Sequence, residues 1–161
     1  MSLIVVLYLP ASLADPVKVS VVKTAEGYQL LRAGEPYVVK GAGFSQGDMS
    51  SLAKFGGNSI RTWHVEEDLK KGMALLDQAQ ALGITVSLCL NIARERHGFD
   101  YNDPEVVTKQ FEQAKEAVQM YKDHPALLSW IIGNELNYDY RNPRVYDAVN
   151  DIALMIHDID P

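Results

Sequence analysis

Hydrophobic and polar positions follow two rhythms along this chain. Continuous runs of apolar, β-rich residues recur, and between them apolar residues return at every third or fourth position. The first pattern is typical of strands covered on both faces, and the second of amphipathic helices packed against them. Strands are predicted at 58–63, 84–91 and 127–133, and helices at 48–55, at 68–82, from 104 onward and from 143 onward.

Local signals support the ends of these helices. Asp103-Pro104-Glu105 combines an N-cap, a proline at the first helical position and an acid in the first turn, and Asn142-Pro143 repeats the cap and the proline. Gly83 follows the helix at 68–82 and is a typical stop. Strands that alternate with amphipathic helices predict βαβ units and a parallel sheet.

Three extended segments precede these units, at 18–22, 28–32 and 37–41, with turn-forming residues between them. They predict an N-terminal β-hairpin that leads into a first barrel strand ending at Gly41-Ala42-Gly43-Phe44. The predicted fold class is α/β of the (β/α) barrel type, with about four βα units. A complete barrel takes about 250 residues, and the sequence ends at Pro161, where a fifth strand would be expected. Residues 16–161 are therefore predicted to be the N-terminal half of a barrel.

The first fifteen residues have a pattern of their own. An apolar run, Leu3-Ile4-Val5-Val6-Leu7-Tyr8-Leu9, precedes small and polar residues, as at the end of a secretory signal peptide, although no basic residue comes before it. We interpret residues 1–15 as a signal-peptide remnant or N-terminal extension and expect a secreted or periplasmic protein. The alternative is a first strand of the fold. The run is too short to span a bilayer.

Composition narrows the function classes. A net charge of −6 and a pI of about 5.1 argue against a nucleic-acid surface, and no membrane partner is expected. The single cysteine, Cys89, excludes an internal disulfide, and its apolar surroundings predict a buried side chain. The histidines lack metal-ligand spacing, and Gly41-Ala42-Gly43 lacks the third glycine of a dinucleotide fingerprint. We therefore expect no metal and no cofactor.

Polar and aromatic side chains stand at the C-terminal ends of the predicted strands, where α/β folds place their chemistry. The clearest case is Trp130-Ile131-Ile132-Gly133-Asn134-Glu135, a strand that delivers an amide and a carboxylic acid. Glu135 is the candidate general acid/base, because a carboxyl near apolar walls can donate a proton to a leaving oxygen. Asn134 is the catalytic partner that would bond a sugar hydroxyl. The substrate-binding candidates lie at or just after strand ends: Arg61, Trp63, His64, Asn91, His97 and Tyr138.

Several of these residues have structural alternatives. Arg61 lies in an apolar strand, where it would hold a carboxylate either for catalysis or as a structural ion pair. His64 and His97 could bond substrate or be ordinary loop histidines, and Trp63 could be a sugar platform or core. Trp130 is expected in the core, and the structural role is preferred for His124, which precedes Pro125 in a turn. Together, amide, carboxylate, guanidinium and aromatic rings suit a hydroxyl-rich ligand.

The run 121–135, Tyr-Lys-Asp-His-Pro-Ala-Leu-Leu-Ser-Trp-Ile-Ile-Gly-Asn-Glu, resembles the clan A glycoside hydrolases, closest to the family-two type of catalytic barrel. The segments 37–44, 57–63 and 81–86 support the resemblance. It implies that Glu135 is the acid/base, that Asn134 bonds the 2-hydroxyl of the sugar, and that Arg61 lies near the nucleophile. These enzymes are retaining, and a second glutamate attacks the anomeric carbon across a gap of about 5 Å. No residue of this chain matches that nucleophile.

The leading hypothesis is therefore a retaining glycoside hydrolase domain whose half-barrel has little activity alone. The alternative is a non-catalytic carbohydrate-binding or self-associating half-barrel, and a third is an unrelated hydrolase or lyase that uses Glu135 as a base. The expected partners are an oligosaccharide or glycoside and a second copy of the chain, because an open sheet edge favours a homodimer.

Overall fold

The computed structural model of the chain describes residues 15–161. Its first part is an antiparallel sheet of three strands in the order β1-β2-β3. The strands are β1 (Val19–Thr24), β2 (Gly27–Arg32) and β3 (Glu35–Pro36). Val19 pairs with Arg32 and Thr24 with Gly27, so the predicted hairpin is confirmed. The apolar run that was interpreted as a signal-peptide remnant lies outside the described residues.

The predicted continuous strand over 37–41 is wrong. The chain leaves the first sheet at Pro36 and joins the second at Gly41. Between these points the side chain of Asn58 takes the place of a neighbouring strand: its Oδ1 accepts from Lys40 N at 2.7 Å and its Nδ2 donates to Val38 O at 2.9 Å. A side-chain amide therefore satisfies backbone groups that a strand ladder would otherwise pair.

Four parallel strands form the second sheet, in the order β4-β5-β6-β7. They are β4 (Gly41–Gly43), β5 (Ser59–Arg61), β6 (Thr85–Cys89) and β7 (Leu127–Ile131). A helix follows each strand: α1 (Met49–Lys54), α2 (Leu69–Ala81), α3 (Pro104–Tyr121) and α4 (Arg144–Ile159). The prediction of four βα units of the barrel type is confirmed.

Aspartate side chains begin three of the helices. Asp48, Asp68 and Asp103 each accept a bond from a backbone N–H of the first turn, which satisfies donors that a helix cannot pair internally. The fourth helix starts differently, because Asn142 Oδ1 accepts from Arg144 N at 3.1 Å. A short 3₁₀ helix at Glu95–His97, between β6 and α3, was not predicted.

The hydrophobic core lies between the parallel sheet and its helices. Ile60 of β5, Val86 and Leu88 of β6 and Leu76 of α2 are buried in its largest cluster. The opposite face of the sheet is polar where β6 meets β7, since the hydroxyl oxygens of Ser87 and Ser129 lie 2.9 Å apart and exposed. Within the described range, no helix has the length and apolar character needed to cross a membrane.

Candidate functional site

Arg61 and Asn134 meet at the carboxyl ends of β5 and β7. Arg61 Nη2 donates to Asn134 Oδ1 at 2.6 Å, although the two residues are far apart in the sequence. The guanidinium also stacks on the indole of Trp63, with 4.4 Å from Cζ to the ring centroid. Arg61 therefore contacts the Gly-Asn-Glu strand end directly. Arg61 forms no ion pair with a carboxylate of residues 15–161.

Trp63 lies directly over Gly43 at the end of β4. A Cβ atom on Gly43 would come within 2.8 Å of Cζ2 of the indole. The ring keeps 45% of its surface exposed, so one face of the site is an accessible aromatic surface. Gly43, Trp63, Arg61 and Asn134 thus form a connected row at the ends of β4, β5 and β7.

Glu135 has an unusual backbone and an exposed carboxyl. Its φ is 52°, in the left-handed region that residues other than glycine seldom occupy. The carboxylate Oε2 accepts from Arg96 Nη2 at 3.1 Å, and 65% of the Glu135 side chain is exposed. The partner of Glu135 in this structure is therefore Arg96 and not Arg61.

Two of the predicted substrate-binding residues pair with the segment between β5 and α2. Asn91 uses its amide to bond both backbone groups of Val65, at 3.0 and 3.1 Å. His64 is exposed and lies 3.4 Å from the carboxylate of Glu66. Their assignment to substrate is still a prediction.

The other two candidates lie beside Arg96, the partner of Glu135. Tyr138 is exposed, and its ring faces the guanidinium of Arg96 at 4.9 Å. His97 ends the 3₁₀ helix that carries Arg96, and it lines an open depression of about 490 Å³ together with Arg94 and Phe99. Their assignment to substrate remains a prediction.

Sequence reasoning missed the role of Arg94, Glu95 and Arg96. Each of these side chains bonds the backbone of the segment that follows β7. Their position directly after a buried strand was the available signal. Which backbone groups they meet depends on the path of a distant loop, and no spacing rule contains that information.

Three residues outside the candidate site behave as structural groups. Cys89 is buried and free, and burial raises the pKa of its thiol against the opposing influence of Arg61 and Arg94. The thiol is therefore neutral near pH 7 and a poor nucleophile. His124 is buried, accepts from Ala126 N at 3.1 Å and faces Asp77 at 3.2 Å. The indole N–H of the half-buried Trp130 donates to Asp160 at 2.6 Å.

No group of three or more acids, histidines or cysteines in the described part of the chain could hold a metal ion. The chemistry available at the strand ends is that of a carboxylic acid, an amide, guanidinium groups and an aromatic face. Such groups bond hydroxyls, stack on sugar rings and transfer protons.

Comparison with known proteins identifies one family. A model described as glycosyl hydrolases family 2, TIM barrel domain, matches residues 39–157. The match includes all four parallel strands, the first three helices and most of α4, and it begins just after the three-stranded sheet. No curated protein matches the chain.

Proposed function

Since this chain belongs to glycosyl hydrolase family 2 by its TIM barrel domain, we propose that it acts on the glycosidic bond of an oligosaccharide or glycoside, with Glu135 as proton donor. The observation that carries the proposal is the hydrogen bond of 2.6 Å between Arg61 and Asn134. It fixes the residue next to Glu135 at the end of the parallel sheet, where barrel enzymes keep their chemistry.

Asn134, Trp63 and Arg61 each have a role in this proposal. Asn134 presents its amide N–H₂ to a sugar hydroxyl, because Arg61 already occupies its oxygen. Trp63 offers an exposed ring for stacking on the apolar face of a sugar. Arg61 retains a buried Nε without a partner, which suits a second carboxylate near the anomeric carbon.

The proposed reaction retains configuration at the anomeric carbon. In that mechanism a carboxylate attacks the sugar while the acid protonates the leaving oxygen, and water then releases the sugar. We assign the nucleophile to no residue of this chain, because no carboxylate of residues 15–161 pairs with Arg61. Little hydrolysis is therefore expected from these residues alone.

An added nucleophile tests the role of Glu135. Azide would attack the anomeric carbon of an aryl glycoside, the bond to the phenol oxygen would break, and that oxygen would take the proton of Glu135. We expect azide to produce a glycosyl azide from a phenyl glycoside in a panel of gluco-, galacto-, manno- and glucurono-configured substrates. Glu135→Gln should lower this rate by about 10²–10⁴-fold, the usual contribution of a general acid.

The control is the leaving group. A 2,4-dinitrophenyl glycoside departs without protonation, so Glu135→Gln should leave its azide-dependent cleavage nearly unchanged. Equal losses with both leaving groups, or a Glu135→Gln variant as active as wild type on the phenyl glycoside, would contradict the assignment.

A second candidate function is carbohydrate binding without catalysis. It is favoured because no carboxylate of residues 15–161 pairs with Arg61, and a sugar cleft without a nucleophile beside that arginine can keep binding and lose turnover. Calorimetric titration with oligosaccharides separates the two: a binder keeps its affinity in Glu135→Gln and yields no glycosyl azide in any variant.

We further propose that the chain forms a homodimer through the open edge of the sheet and that residues 1–15 direct export to the periplasm or outside the cell. The free edge of β7 and the polar face at Ser87 and Ser129 support the first proposal. The apolar run at 3–9 supports the second. Cell fractionation of the 161-residue chain and of a variant without residues 1–14 tests export.

A further inference from the structure

Three consecutive side chains after β6 bond the segment that follows β7. We infer that Arg94, Glu95 and Arg96 form a positioning clamp, which holds the backbone of Asn134 and Glu135 so that the Glu135 carboxyl can reach a glycosidic oxygen. The inference rests on the proposed function for the role of that carboxyl. The clamp itself follows from the contacts.

The clamp grips the segment at both of its ends. Arg94 Nε donates to Asn134 O at 2.9 Å, and Arg96 Nη1 donates to Glu135 O at 2.6 Å. At the other end, Glu95 Oε2 accepts from the backbone N–H groups of Arg141 and Asn142, at 2.6 and 2.9 Å. Charged groups make stronger hydrogen bonds than neutral ones, so these few bonds can define the path of the loop.

The held segment needs such support. Residues 132–143 contain no regular strand or helix, and two non-glycine residues in it have positive φ, Glu135 at 52° and Asp139 at 53°. Such conformations are unfavourable for residues other than glycine and persist only where the surroundings enforce them. Arg96 bridges the interval between them, because Nη1 also contacts Tyr138 O at 3.2 Å.

The bonds from Arg96 to the backbone and to the carboxylate of Glu135 differ in their exposure to water. Its own side chain is only 14% exposed, which protects its bonds to the carbonyl groups from water. The Glu135 side chain is 65% exposed, so its ion pair with Arg96 is open to water and therefore weak. A bound glycoside can therefore displace Arg96 from the carboxyl group while the backbone remains fixed.

Amide hydrogen exchange of the 161-residue chain tests the clamp without any ligand. In Arg96→Met, the amide of Tyr138, which donates to Glu135 O at 3.1 Å, should exchange about tenfold faster or more, since the charge-assisted bonds to Glu135 O and Tyr138 O are lost. Arg96→Lys keeps the charge and one donor nitrogen and should restore part of the protection. Arg144→Met, an exposed arginine on α4 whose side chain makes no hydrogen bond or ion pair in the described structure, is the matched control and should exchange as wild type does. Unchanged exchange of the Tyr138 amide in Arg96→Met would overturn the clamp.

Azide-dependent cleavage tests positioning. Arg96→Met should slow the phenyl glycoside about tenfold or more and the 2,4-dinitrophenyl glycoside little, with Arg96→Lys between wild type and Arg96→Met, because only the first substrate needs a well-placed acid. Equal losses on both substrates would mean a general structural defect and overturn the positioning role. If wild type cleaves neither substrate, the proposed function fails, and the exchange result still decides whether the clamp exists.

Discussion

Gly43 shows how one missing side chain shapes the candidate site. The indole of Trp63 fills the space that a Cβ atom would occupy and stacks from there on Arg61. Arg61 in turn bonds Asn134. A change of a single methyl group at the end of β4 is therefore transmitted to the residue beside the proposed proton donor.

Gly43→Ala should displace Trp63 from Arg61. The added methyl group would lie 2.8 Å from the indole, closer than van der Waals contact allows. Because the indole is 45% exposed and can move toward solvent, the loss of stability should be small, about 0.5 kcal/mol. We expect a lower free energy of unfolding in urea and a changed tryptophan emission spectrum.

Trp63, the residue that the added methyl group would meet, provides the control. In a Trp63→Ala background, the same Gly43→Ala change should cost little, because the ring that it meets is gone. A full loss of stability in that background would show that the contact with Trp63 is not the cause.

At the residue scale, the sequence indicated which residues stand at the strand ends better than it indicated which of them bond each other. An arginine in an apolar strand and an Asn-Glu pair at a strand end were recognisable from burial cost and position, and Arg61 does bond Asn134. The pairing of Glu135 with Arg96 was not predictable, because it depends on the left-handed backbone of Glu135 and on a 3₁₀ helix of three residues. Neither feature has a periodicity that a sequence can reveal.

At the scale of elements, Glu95 makes the stability of the loop after β7 depend on pH. The backbone N–H groups of Arg141 and Asn142 hold the pKa of this carboxyl below its ordinary value of 4.5. A lowered folded-state pKa means that the stabilisation is fully present above about pH 4.5. It is lost as the pH falls below 4.5 through the lowered value.

We therefore expect the amides of Arg141 and Asn142 to lose protection between pH 4.5 and the lowered pKa of Glu95. A Glu95→Gln variant should lack this local dependence, so the ratio of wild-type to variant exchange rates should approach one as the pH falls. Global unfolding is a poor measure here, because hydrogen bonds from Ser50 and Ser51 also lower the pKa of Asp48. A ratio that is constant with pH would contradict the role of Glu95.

Among the elements, the four βα units could be predicted, while the segment 37–40 could not. Apolar runs, helical spacing and the Asp103-Pro104 start were strong local signals, and each corresponds to an element of the structure. Val38 and Val39 have high β propensity, but both side chains are exposed. The side-chain amide of Asn58 bonds Val38 O and Lys40 N in place of a neighbouring strand. A tertiary contact overrode the local preference.

The four-stranded sheet leaves two edges free within the described residues, at β4 and β7. Beside β7 runs a groove of about 1030 Å³, lined by residues that include Ser129, Trp130 and Ile156. Unpaired backbone groups next to apolar surface favour association with another chain.

Ser129→Lys should weaken the proposed homodimer. The residue is exposed on β7 beside Ser87, so a charge there would have to be buried when two open sheets close on each other. We expect light scattering to show a concentration-dependent dimer for wild type and a monomer for the variant. Gln80→Lys adds the same charge on the outer side of α2, where the side chain is exposed, and should remain dimeric. A monomeric wild type at all concentrations would refute the dimer.

Two side chains connect the hairpin to the parallel sheet. The hydroxyl of Tyr37 bonds Asn58 O at 2.8 Å and Thr85 Oγ1 at 3.1 Å. Arg32 donates to Pro125 O at 2.9 Å. No residue between 15 and 37 is fully buried. The hairpin therefore covers the amino ends of the parallel strands through few contacts. On warming, the hairpin can unfold before the parallel sheet does. The candidate site at the carboxyl ends of the strands would then keep its arrangement.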